Sequence, residues 1–353
     1  MNIIDRYLGR AVLIGSSLAF LVLISLTSFF VFIEQLGDLK GDYTVFKALE
    51  YVLFILPGKG YELFHTSILL GSLMSLGSMA SNSELLVLRA AGMSVARITW
   101  PVLKAGLLLM LFGAFLGEVV APPAEQYAQK LRTAAITGST SIHSGQGIWS
   151  KNKQNFIRIG IVFPNAELAD VEVYTFDDKH RLVTILDAKR AVYSASAWQL
   201  QDVTETVFSE RSFEQKHFDE RKFETLIQPE MLETLSVDEQ NLSMISLFRY
   251  MQYLKNNQLD AAQYELAFWM KLVKPFSALI MLLIAMPFVF GSLRSSSVGQ
   301  RLLVGVLLGL GFHMFNQALN YIGVGYGLNA VVSALLPSLL FAAGGMWALK
   351  KVF

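Results

Sequence analysis

The sequence predicts a membrane α-helical protein. Six transmembrane helices form a three-plus-three arrangement, with an all-β, jelly-roll-like domain inserted between the two blocks. Three observations predict it. Of 353 residues, 53% are hydrophobic and only 16% are Asp, Glu, Lys or Arg, against roughly 25% charged in soluble domains. The long uncharged runs fall in two blocks, residues 1–121 and 266–353, and most of the charge lies between them. Residues 122–265 instead break into short β-branched and aromatic segments bounded by turn residues. The expected parts are therefore helices 1–3 with a cytoplasmic helix at about 82–92, a β-rich domain over 122–265, and helices 4–6.

Residues 11–33 form an uncharged run of 23 residues, which at about 1.5 Å per residue crosses a hydrocarbon core of about 30 Å. Comparable runs lie at 63–80, 98–121, 275–293, 302–324 and 329–349. The first run exceeds the apolar core of a signal peptide and leaves through Phe29-Phe30-Val31-Phe32-Ile33 without a small-x-small cleavage site, so it is expected to stay attached. Lys104 and Glu118 lie near the ends of the third run, where long side chains reach the headgroups. If the helices alternate, Arg6, Arg10, Arg89, Arg97, Arg294, Arg301, Lys350 and Lys351 share one side. Basic residues accumulate on the cytoplasmic side, so both termini are expected there and the insert outside. Lys40, Lys47 and Lys59 oppose the bias but mix with Asp38, Asp42, Glu50 and Glu62.

Within the insert, residues 124–135 read as a short helix after Pro122-Pro123. Strands are expected at 147–151, 156–163, 171–176, 181–186, 191–194, 198–208 and 213–225. Lys151-Asn152-Lys153-Gln154-Asn155 and Asp177-Asp178-Lys179 suit hairpin loops. Regular spacing and alternating polarity suggest an antiparallel sandwich or open jelly roll with at least one buried face. Leu247, Tyr250, Met251 and Leu254 recur at helical spacing, and a further helix from about Asp260 leads into the fourth span.

Several chemistries are excluded or disfavoured. A net charge of +1 gives no basic face for nucleic acid. Without cysteine there are no disulfides, thiolate metal sites or cysteine nucleophiles. There is no GxxxxGK[ST] phosphate loop, no HExxH and no GxSxG, and the five histidines are too dispersed for a compact zinc motif. Neither a metal site nor a catalytic centre is expected in this chain. Ser67, Gly71 and Ser75 form a small-residue ridge on the second span, for internal packing or for a partner chain. His313, Asn316, Gln317 and Asn320 form a polar stripe on the fifth, facing a partner helix or a cavity.

The most informative short segment is Ser81-Asn82-Ser83-Glu84-Leu85-Leu86-Val87-Leu88-Arg89-Ala90-Ala91-Gly92, between spans two and three. Ser81 and Glu84 have capping-box spacing, and Gly92 suits a left-handed helix stop. With Leu85, Leu86 and Leu88 beside Glu84 and Arg89, this helix suits a groove on a soluble partner with charged contacts at the rim. A helix lying on lipid is the alternative.

Four segments stand in a telling order: Ile4-Asp5-Arg6-Tyr7-Leu8-Gly9; Ser83-Glu84-Leu85 with Ala90-Ala91-Gly92; Gly117-Glu118 with Ala121-Pro122; and Phe290-Gly291-Ser292-Leu293-Arg294-Ser295. In these, and in 250–254 and 271–275, the chain resembles the permease subunits of the lipopolysaccharide-export ABC transporter, the LptF/LptG family. Its spacing is nearer the G branch than the F branch.

The resemblance implies a heterodimer with an LptF-like permease, an LptB-like ATPase dimer that uses ATP and Mg, and an LptC-like periplasmic bridge protein. The chain itself would be no enzyme and hold no cofactor. Lipopolysaccharide would leave the outer leaflet of the inner membrane through a cavity, enter the periplasmic jelly rolls and pass onward. Ser83, Glu84, Leu85, Leu86, Leu88, Arg89 and Gly92 would couple to the ATPase. The first and fifth spans would line the cavity, making Phe30, Glu34, His313, Asn316, Gln317 and Asn320 lipid-binding candidates. Lys40 and Arg132 would meet lipid A phosphates at the mouth; Arg132 matches a basic position of the family. Where the family carries paired lysines after the first span, this chain has Gly37-Asp38, with Lys40 two residues later. A second reading is a mechanotransmitting or signalling membrane protein, driven by a partner ATPase without carrying lipid.

Overall fold

The computed structural model describes residues 3–40, 42–137, 142–152, 154–163, 167–177, 179, 181–194, 197–209, 212–223, 242–291, 297–326 and 328–351. Ser292, Leu293, Arg294 and Ser295 of the last family segment, Asp178 of the hairpin loop, and the end of the strand expected at 213–225 lie outside them. Among the described residues six helical stretches are long and apolar enough to cross a membrane, and all six predicted runs fall within or against them. The chain forms two compact units, one of Met1–Gly37, Val52–Glu125 and Ala262–Phe353, the other of Asp38–Tyr51 and Gln126–Ala261.

The helical unit starts with α1 (Ile3–Gly37) and α2 (Val45–Ser81). They cross where both carry glycine: a Cβ on Gly15 would stand 2.5 Å from the Gly71 carbonyl oxygen, and one on Gly71 2.4 Å from the Gly15 carbonyl carbon. Ser75 lies at the same contact and donates its hydroxyl to the Gly71 carbonyl at 2.8 Å. Ser67, fully buried, donates to the Phe64 carbonyl at 2.6 Å. The Gly71 and Ser75 positions of the ridge thus serve packing inside the chain, against α1.

The third span runs further than predicted. α4 (Val95–Phe115) passes through a π-helical turn, Leu116–Val120, into α5 (Ala121–Thr137) without a break. The helix expected at 124–135 is the continuation of the span. Proline removes an N–H and pushes its ring at the carbonyl four residues back, and the wide turn just before Pro122 relieves this: Ala121 N–H donates to the Leu116 carbonyl, five residues back. Gly117 lies in that turn, where a Cβ would meet the Tyr61 ring at 2.4 Å.

After the insert, α7 (Ala262–Val273) tightens through a 3₁₀ turn at Lys274–Phe276, around Pro275, into α8 (Ser277–Phe290). Two further spans, α9 (Val298–Gly325) and α10 (Ala330–Lys350), complete the unit. The core draws on α1, α2, α4 and α8, with Leu8, Ile68, Leu69, Ile98, Val102 and Leu282 fully buried.

In the other unit, among the described residues, six strands form one antiparallel sheet in sequential order: β1 (Ile142–Asn152), β2 (Asn155–Phe163), β3 (Glu167–Phe176), β4 (Leu182–Ser194), β5 (Ala197–Phe208) and β6 (Phe213–Phe223). This is the inserted β domain; among the described residues its strands join by hairpins without crossovers. Asn152 pairs with Asn155, so most of the first predicted loop is strand. The segments expected at 181–186 and 191–194 are one strand, β4. The polar run Asp187-Ala188-Lys189-Arg190 reads as a break, yet Ala188 is buried and Lys189 forms an ion pair with Asp202 across the sheet. On the apolar face Ile157, Ile159, Leu168, Val173, Trp198 and Leu200 are each 1% exposed or less. On the other side Arg158 bridges Asp170 at 3.1 Å and Glu172 at 2.6 Å, and this pairing holds the Glu172 carboxyl below its ordinary range. α6 (Met244–Asn256) buries Leu247, Tyr250, Met251 and Leu254, and its Tyr253 hydroxyl donates to the Lys151 carbonyl at 3.0 Å.

The helix crossing yields a stability test. Gly71→Ala forces a Cβ into the α1 backbone and should destabilise the helical unit by about 1–3 kcal/mol, the usual range for overpacking. Gly311→Ala, in open space on α9, should not. Thermal unfolding in detergent is the measurement; equal melting temperatures would show that the crossing is not tight.

Candidate coupling helix and substrate-facing spans

The loop between α2 and α4 contains α3 (Glu84–Ala90), a helix of 7 residues. The Ser81–Glu84 capping box does not form, because α2 runs through Ser81, whose hydroxyl donates back to the Ser78 carbonyl at 3.0 Å. The residue before α3 is Ser83, left-handed at φ 65° and making no side-chain cap. The helix ends as expected at Gly92, φ +87°. Gly92 N–H donates to the Arg89 carbonyl at 3.0 Å and Met93 N–H to the Leu88 carbonyl at 3.2 Å, the paired bonds of a Schellman stop.

The apolar residues of α3 divide by direction. Leu85 is 3% exposed and belongs to the core, and Leu88 packs against that core. Leu86 and Val87 stand 42% and 65% exposed, so the outward apolar face consists of Leu86 and a residue the sequence reasoning did not select, Val87. Arg89 is exposed. Glu84 is half-buried and accepts the Tyr7 hydroxyl of α1 at 2.8 Å. A contact between residues 77 apart has no local sequence signal.

Beyond the outer end of α1, Asp38 accepts a 2.6 Å bond from the Arg132 guanidinium. Arg132 also lies 5.8 Å from the Tyr51 ring centre. The buried Tyr43 hydroxyl is beside them; burial raises its pKa, Arg132 opposing and Asp38 adding. Side-chain exposures of 32% and 49% make this a partly solvated ion pair, worth about 1 kcal/mol or less. Lys40 is exposed, and the structure does not bring it to Arg132 by any described contact.

Phe30 is 66% exposed and Glu34 is exposed, on the unpacked half of α1. The polar stripe of α9 runs along the border of its packed face. That face carries buried Arg301 and Phe312, the latter between the rings of His65 and Phe341 at 5.6 and 5.0 Å. Asn316 and Asn320 are half-buried, while His313 and Gln317 are exposed. A charged knot sits among the membrane helices: Lys271 lies 3.6 Å from Glu118, and Lys274 sits 4.3 Å from the Tyr61 ring centre. Their spacing from the apolar runs was legible; their mutual approach was not.

Six spans, a β insert between the third and fourth, and two spans with little self-packing define a multi-pass membrane protein with an inserted β domain. The Lipopolysaccharide export system permease LptF/LptG family matches residues 6–351. The chain is 33% identical over 355 residues to the lipopolysaccharide export system permease protein LptG of Haemophilus influenzae, covering 99% of both chains. It is 31% identical over 354 residues to the Escherichia coli K12 protein of the same name, covering 99% of this chain and 98% of that one. The chain belongs to the LptF/LptG family of lipopolysaccharide export permeases.

The two sides of α3 are separable by mutation. Leu85→Ala should lower stability by about 2–5 kcal/mol, as for a buried leucine, whereas Val87→Ala should leave the melting temperature unchanged. Equal effects on unfolding would contradict the assignment of inner and outer faces.

Proposed function

We propose that this permease sits in the Gram-negative inner membrane with both termini cytoplasmic, and that it extracts lipopolysaccharide and passes it to a periplasmic bridge toward the outer membrane. Its partners in this reading are an LptF-like permease, an LptB-like ATPase dimer and an LptC-like protein. ATP and Mg are used by the ATPase, and this chain supplies movement and surface rather than chemistry. The observation that carries the reading is the family match, which spans residues 6–351, both helical blocks and the insert.

Two features support it. The outward pair Leu86 and Val87, with Arg89 and Glu84 beside them, suits a groove with a charged rim on the ATPase. The exposed lengths of α1 and α9 suit a cavity closed by the second permease, so that Phe30, Glu34, His313, Asn316, Gln317 and Asn320 meet lipid or partner. At the mouth, Arg132 is the stronger candidate for a lipid A phosphate. Its ion pair with Asp38 is weak enough for exchange, and a phosphate offers a guanidinium several charge-assisted bonds. Lys40 offers a second, unconstrained charge.

Photocrosslinkers at 40 and 132 should capture lipopolysaccharide, and Arg132→Glu should slow its release while the complex still assembles. Asp38→Ala, which removes the acceptor and frees the guanidinium, should increase capture at the mouth. Normal release by Arg132→Glu, with no crosslink at either position, removes both residues from the substrate path. Alkaline phosphatase fused after Asp177 should be active, and fused after Gly92 inactive; the reverse pattern overturns the topology.

A further inference from the structure

The burial of α1 is lopsided. Among its described residues Asp5, Leu8, Val12 and Ser16 are buried, one per turn, and no other is until Gln35. The inner half of the helix is packed and the outer half is not. The change occurs at Gly15, where α1 and α2 touch backbone to backbone. A contact between two glycines has no interlocking side chains, so tilting about it does not require ridges to leave grooves. Beyond it Phe20 and Ile24 of α1 lie over Gly60 of α2, and Phe20 packs against Phe64.

The inner end carries polar fastenings. The Tyr7 hydroxyl donates to Glu84, the first residue of α3, at 2.8 Å. Asp5, buried, lies 3.3 Å from Arg97 in the first turn of α4, without hydrogen-bond geometry. That ion pair seats the end without fixing its angle. α3 itself is bounded by two left-handed residues, Ser83 at φ 65° and Gly92 at φ +87°. Such residues interrupt the helix path and act as joints. A rigid two-turn helix between two joints is bonded to the end of the first span.

We propose that α1 is a lever with its pivot at the Gly15–Gly71 crossing, and that Tyr7 is the positioning residue through which movement of α3 drives it. From Tyr7 to Gly15 the helix is about 12 Å long, and from Gly15 to Gly37 about 33 Å, at the standard rise. A displacement at Tyr7 therefore grows about threefold at the outer end, where α1 is exposed. The inference rests on the reading of α3 as the ATPase-coupling helix.

The test uses the assembled complex with the partner permease and ATPase in proteoliposomes containing lipopolysaccharide. Because the chain has no cysteine, nitroxides at Leu26→Cys and Leu107→Cys report the distance from the outer arm of α1 to α4. In the complex labelled in an otherwise unmodified chain, a non-hydrolysable ATP analogue should shift that distance. Tyr7→Phe keeps the ring and the fold and loses the bond. It should abolish the shift and lower lipopolysaccharide released per ATP by about two- to tenfold, the range that one hydrogen bond of ordinary net strength commands. ATPase recruitment and ATP turnover should be retained. A Tyr7→Phe complex with an unchanged shift and unchanged release per ATP overturns the lever. No nucleotide-driven release by the unmodified complex overturns the transport reading itself, and the lever with it.

Discussion

The helical unit depends on one close approach, the crossing of α1 and α2 at Gly15 and Gly71, where any side chain would collide with backbone. In a bilayer the hydrophobic effect does not pull helices together, so contact depends on small residues that let backbones approach and on polar groups satisfied within the chain. Ser75 and Ser67 meet the second condition through bonds to α2 carbonyls. With α1 fixed there, its inner turns bury Leu8 and Val12 in the core, and its outer turns remain on the surface with Leu18, Leu26, Phe29 and Phe30. The division of α1 into packed and unpacked halves, on which the proposed substrate surface relies, falls at this crossing, the inner half packing also against α4 at Gly9.

Charge is placed differently in the two units. In the β domain Arg158 is fastened to Glu172 and Asp170, and Lys189 to Asp202, holding neighbouring strands over a core sealed by Trp198 and Leu200. The Arg132–Asp38 pair belongs to the same unit but has a different character. It is half-solvated and backed by an aromatic ring, strong enough to hold a guanidinium in place yet weak enough to exchange for an anion. Among the helices, Lys271 and Glu118 pair beside the π-helical turn that carries the third span past Pro122. A charge so placed stays in the bilayer only with a partner.

Much of this was legible in the sequence because it is local. Uncharged runs of about twenty residues announce spans, alternating polarity announces strands, and Gly92 announces a helix stop. What failed was also local. Pro122-Pro123 reads as a break, but a wide turn absorbs it. Asp187-Ala188-Lys189-Arg190 reads as a loop, but its charges pair across strands. Ser81 reads as a cap, but α2 runs through it and Ser83 takes the place before α3. The contacts on which the proposed coupling and substrate path rest lie between distant positions. Tyr7 with Glu84 and Arg132 with Asp38 are 77 and 94 residues apart, and no periodicity in a single sequence encodes such pairs. The family resemblance supplied roles for Glu84 and Arg132, but not the side chains that hold them.

The most direct measurement is lipid transfer from proteoliposomes that contain the complete complex, followed as ATP is hydrolysed and a soluble periplasmic bridge protein is supplied as acceptor. Lipopolysaccharide should reach the acceptor in proportion to ATP consumed. Sustained ATP hydrolysis by a fully assembled complex, with the insert moving but no lipid leaving the membrane, would contradict a carrier and leave a mechanotransmitting protein instead.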